Sequence, residues 1–134
     1  MISELYDRSE DWLKYAIQIN LLHSSKEDQT ELLKSALQDE KIQRALQDIA
    51  TYHDTLVTSH KNPMLPIQRL LLLLDLGFDM DVPEIKMAID EILAHRDENG
   101  VYQSMTNVPK HFGGTGEDTF SWCLCDAPSL LLAL

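Results

Sequence analysis

Residues 66–102, PIQRLLLLLDLGFDMDVPEIKMAIDEILAHRDENGVY, leave the chain few alternatives, because each boundary within them carries its own chemical signal. The leucine run at 70–74 predicts a helix that stops at Leu76-Gly77, where glycine takes the left-handed C-terminal position at little steric cost. Phe78-Asp79-Met80-Asp81 makes the connection to a second helix. Asp81 reads as its N-cap, ahead of Val82, Pro83 and Glu84; proline in a first turn forfeits no hydrogen bond, and the acids suit the helix dipole. Ile85, Ala88, Ile89, Ile92 and Leu93 then repeat at helical spacing and give one apolar stripe. Asn99-Gly100 turns the chain after it. Two antiparallel helices joined this tightly leave outer faces that require neighbours.

The preceding residues supply them. Ser3 or Ser9 reads as the cap of a first helix whose Trp12, Tyr15, Ala16, Ile19 and Leu22 share a face, ending near His23. Residues 27–38 predict a second helix, with Ser25 as cap and Leu32, Leu33, Ala36 and Leu37 apolar. Asp39 starts a third over residues 41–56, with Ile42, Ala45, Leu46, Ile49, Ala50, Tyr52 and His53 inward. Asn62-Pro63 breaks it, and Pro66 re-enters helix. After Tyr102 a long glycine-containing loop leads to a last helix with Pro128 in its first turn. No stretch alternates Val, Ile and Thr with polar residues, so no strand is predicted. The expectation is an all-α fold of about three antiparallel helical hairpins, with residues 1–134 as one domain.

Charge and apolar run length exclude whole classes of partner. Twenty-two acids against 11 bases give a net charge of −11 with no Lys/Arg cluster, which argues against nucleic acid and against an anionic membrane surface. The longest leucine run is bounded by Arg69 and Asp75, far short of the roughly 20 apolar residues that span a bilayer. The acidic start, MISELYDRSEDW, lacks the basic-then-apolar order of a signal peptide. Cys123 and Cys125, one residue apart, cannot close a long loop, and predict a reduced, cytoplasmic protein.

Reactive side chains converge in one place: His111, Glu117, Asp118, Trp122, Cys123, Cys125 and Asp126. Cys123 and Asp126, at i and i+3, share a helical face. With His111 folded over them they form a candidate zinc site with one open coordination position. Buried structural cysteines are the alternative. Gly113-Gly114-x-Gly116 is no phosphate loop, since no Lys-Ser/Thr follows it. His60 and Lys61, at the mouth of the helix starting near Pro66, could hold an anion, although a solvated loop is the default. No Gly-x-Ser-x-Gly elbow anchors a serine nucleophile.

The segment LLDLGFDMDVPEIKMAIDEILAHRDENGVY resembles a helical-hairpin repeat of the terpenoid-cyclase and protein-prenyltransferase α/α-toroid superfamily. The matching features are Leu76-Gly77, the acid-Pro turn at 81–84, and Asp97-Glu98-Asn99-Gly100-Val101-Tyr102; CLCDAPSLLLAL resembles the start of the next inner helix. The likeness covers roughly the C-terminal half and implies a fold more than an activity. It implies an apolar groove lined by Phe112, Phe120, Trp122 and leucines, taking an isoprenoid-like molecule or a peptide. The prenyltransferase branch binds zinc through Asp-x-Cys, whereas this chain reads Cys123-Leu124-Cys125-Asp126. The cyclase branch uses Asp-x-Asp-Asp, and Asp79-Met80-Asp81-Val82 lacks the last acid, which excludes that activity. A closed toroid takes about six hairpins, so the chain is expected to be the N-terminal part of a longer toroid or a homodimer completing its core with a second copy. The alternatives are a non-catalytic assembly module and a zinc-dependent transferase or lyase.

Overall fold

In the computed structural model, which describes residues 2–57, 62–122 and 125–134, helices dominate and form largely where apolar spacing places them. Helix α1 spans Ile2–Arg8, α2 Asp11–Asn20, α3 Thr30–Ala36, α4 Glu40–Ala50, α5 Pro66–Asp75, α6 Pro83–Ala94 and α7 Ala127–Leu132. Asp39 starts α4 as expected, and its side chain caps the helix by accepting a hydrogen bond from the Lys41 amide at 2.8 Å. Ile42, Ala45, Leu46 and Ile49 follow at helical spacing and are all buried. The helix is shorter than its apolar pattern suggests: it stops at Ala50, and a 3₁₀ turn at Tyr52–Asp54 replaces its last turn.

Two predicted caps are differently placed. Glu10 is the N-cap of α2 without a side-chain capping bond, while Ser9 Oγ donates to the Leu5 carbonyl at 2.6 Å. The N-cap of α6 is Val82, and Asp81 does not cap. Asp79 Oδ1 instead accepts from the Asp81 amide at 2.9 Å, an Asx turn one step upstream of the helix. Pro83 occupies the first turn as expected. Leu22 lies past the end of α2 and is exposed.

The main helix contacts join α2 to α3, α4 to both α5 and α6, and α5 to α7. The short turn between α5 and α6 is where the sequence puts it, yet each of these helices packs more extensively on α4 than on the other. Leu70, Leu73, Ile85, Ile92 and Leu130 are fully buried in the shared core. Gly77, with φ +92°, ends α5 and lets Tyr15 stack on Phe78, ring centroids 5.3 Å apart.

A small antiparallel sheet corrects the all-helical expectation. Strand β1, Ser104–Thr106, pairs with β2, Thr119–Ser121, in the register Ser104↔Ser121, Met105↔Phe120, Thr106↔Thr119. Three residues per strand are too few for alternation to register in a sequence. The pairing is held from outside: the Val57 amide donates to the Met105 carbonyl at 2.8 Å, and Val57 bridges Thr106. Among the described residues no helix is long and apolar enough to cross a membrane.

Candidate functional site

A cavity lies where five elements meet: the 3₁₀ turn at Tyr52, the N-terminal end of α5, the C-terminal end of α6, the β1–β2 hairpin and α7. Val57, Leu65, Pro66, Ile67, Met105 and Leu130 give it apolar walls. Tyr52, Glu91, His95, Ser104, Phe120 and Asp126 bring polar and aromatic groups into the same lining. The cavity volume is about 30 Å³, room for about two water-sized groups.

His95 is the hinge of the arrangement. It follows the last turn of α6, and its Nε2 lies 3.0 Å from Glu91 Oε1, four residues earlier on the same face. Its ring stacks on Phe120 of β2, with centroids 3.6 Å apart and planes 10° from parallel. The backbone supports the stack, since the Gln103 amide donates to the His95 carbonyl at 3.1 Å. The His95 and Glu91 side chains keep 30% and 29% of their exposure, so solvent reaches the cavity from their side.

The opposite side is drier. Ser104 and Asp126 are buried, as is Thr106 behind them, and Tyr52 is half-buried. Burial pushes the Tyr52 phenol well above its ordinary range, and the carboxylates of Asp126 and Glu91 add to the push. A hydrogen bond with Ser104 acts in the opposite direction. Tyr52 is therefore a neutral donor at physiological pH, with two carboxylates close enough to act on it.

The residues singled out by the sequence are scattered over this region. Phe120 and Asp126 line the cavity. Trp122 is half-exposed and Phe112 is 77% exposed; neither is part of the lining. His111 shares a 3₁₀ turn, Lys110–Phe112, with Phe112, the two rings 4.2 Å apart, and it too lies outside the lining. Cys123 lies outside the described residues, as do His60 and Lys61. Among the described residues no three His, Cys, Asp or Glu side chains are grouped to hold a metal ion.

Glu91 and His95 were absent from the sequence candidates. Their i, i+4 spacing was readable, but it placed them only on a common helix face, and nothing local announced a cavity there. Tyr52 was legible as an inward residue, although not as a lining group. His53 beside it is more than half exposed, with Nε2 3.0 Å from Asp54 Oδ2. No family model, curated protein or solved structure matches the chain.

Proposed function

We propose that this chain is a binding domain of helical-hairpin type, related to the α/α-toroid repeats, whose cavity beneath the His95–Phe120 stack receives one end of a small apolar ligand. The observation that carries the reading is the lining itself: apolar walls from Val57, Leu65, Ile67, Met105 and Leu130, with a few polar groups converging at one place. The relationship to a toroid rests on the resemblance of LLDLGFDMDVPEIKMAIDEILAHRDENGVY to such a repeat. The enclosed volume admits only the tip of an isoprenoid-like molecule, leaving its body at the Glu91–His95 side. Mass spectrometry of molecules extracted from the purified protein tests the reading, with a Met105→Trp variant filling the cavity. A compound retained by the wild type and lost from a folded Met105→Trp supports it; equal retention by both overturns it.

A second reading, an assembly module that pairs with a copy of itself, is favoured by exposed apolar side chains. Leu131 and Leu132 of α7 are 65% and 76% exposed, with Leu134 beside them and Trp122 and Phe112 also in solvent. Light scattering across concentration tests this reading. A dimer that Leu132→Lys converts to monomer supports it, and a monomer at every concentration overturns it.

A further inference from the structure

A larger groove runs between α2, α4 and α5, with a volume of about 460 Å³, inside the range of about 300–1,000 Å³ that small-molecule sites occupy. Trp12, Ile42, Leu72, Leu73 and Leu76 give it apolar surface. Its charged side chains are three bases, Lys41, Arg44 and Arg69, and one acid, Asp48, in a chain where acids outnumber bases 22 to 11. Lys41 pairs with Glu10 and Arg44 with Glu40, but both pairs are more than half exposed, and exposed ion pairs hold their members weakly.

Arg69 is the base that the fold holds in place. Its side chain is 27% exposed, and Nε lies 3.3 Å from Asp48 Oδ2. That N–H is out of line with the oxygen, so Nε is buried without a hydrogen bond among the described residues. Nη2 donates to the sulfur of Met64 at 2.6 Å, and a thioether is a weak acceptor. A guanidinium carries five donors in a planar fork that matches a carboxylate. A carboxylate arriving on the Nη side replaces a weak acceptor by a charged one and leaves Asp48 in place. Leu72, Leu73 and Leu76 follow Arg69 at i+3, i+4 and i+7, so apolar surface extends from the charge for about 10 Å at 1.5 Å per residue.

We propose that this groove binds a small amphipathic carboxylate, its head group on the Arg69 guanidinium and its hydrocarbon part along Leu72, Leu76 and Trp12. The site shares no lining residue with the cavity beneath the His95–Phe120 stack, and its reading does not depend on that one.

The test compares two probes with the same tail, octanoate and 1-octanol, titrated at neutral pH into the full chain and followed by NMR. Octanoate is expected to shift the Trp12 indole N–H and the amides of Leu72, Leu73 and Leu76, and to bind about tenfold more tightly than octanol. Arg69→Gln removes that preference, and Arg69→Lys, which keeps the charge but not the fork, retains part of it. Leu72→Glu, at a position already 44% exposed, sets a like charge beside the head group and weakens octanoate about tenfold or more without touching the buried core. It keeps the proposal testable should Arg69→Gln not fold. Octanol binding as tightly as octanoate overturns the proposal, as does a preference unchanged in a folded Arg69→Gln or octanoate affinity unchanged in Leu72→Glu. Octanoate shifts confined to Ser104, Met105 and Phe120 also overturn it, while supporting the cavity beneath the stack as the ligand site.

Discussion

The imidazole of His95 lies flat against the ring of Phe120, centroids 3.6 Å apart and planes 10° from parallel. The contact joins the end of α6 to the second strand of the hairpin, alongside the backbone bond from the Gln103 amide to the His95 carbonyl. Stacked aromatic pairs contribute about 1 kcal/mol beyond the area they bury, and Phe120 is only half-buried. Phe120→Ala is therefore expected to destabilise the fold by roughly 2 kcal/mol and Phe120→Leu by about half of that. Urea denaturation measures both. A Phe120→Ala midpoint equal to that of the wild type would show that the stack contributes nothing.

Two aspartates that look equivalent in sequence should behave differently. Asp39 caps α4 through the Lys41 amide, so Asp39→Ala costs about 1 kcal/mol. Asp81 is exposed and caps nothing, and Asp81→Ala stays within about 0.5 kcal/mol of the wild type. Thermal unfolding of the two variants side by side checks the contrast, and equal losses would contradict the assignment of Val82 as the N-cap.

Gly77 and Gly113 both have positive φ, +92° and +85°. A Cβ at Gly77 would sit 3.0 Å from Ile19 Cγ2, whereas at Gly113 nothing lies within 4 Å. Gly113→Ala therefore costs only the left-handed backbone term, about 1 kcal/mol, and Gly77→Ala about 2 kcal/mol because Ile19 must also shift. Reversal of that order under chemical denaturation would place the strain elsewhere.

Alkaline pH provides a fourth test. The folded state raises the Tyr52 phenol above its usual value of 10.0, mainly by burial. Between the unfolded and folded values the native state holds the extra proton, so stability declines as pH climbs from about 10 and is unaffected below it. Tyr15 is raised as well, again mainly by burial, and contributes in the same direction. Tyr52→Phe should flatten part of the decline, leaving the Tyr15 share. Tyrosinate absorbance and denaturation midpoints across that range measure it. An identical alkaline slope in Tyr52→Phe would show that Tyr52 titrates normally in the folded protein.

The helices were written into the sequence because their signals are local. Ile42, Ala45, Leu46 and Ile49, or Ile85, Ala88, Ile89 and Ile92, repeat within a single element, and all eight are buried. Gly77 and Pro83 likewise mark helix boundaries through their own backbone chemistry. Tertiary structure alone decided the hairpin, since three-residue strands carry no readable alternation and β1 relies on Val57, far away in the chain, for support. It also decided the site. Glu91 and His95 read as one face of a helix, Tyr52 as core, and Ser104 as loop; only packing places them around one cavity with Phe120 and Asp126. Periodicity records which face of an element is apolar, whereas a pocket depends on which faces meet, and that information is shared among residues remote in sequence.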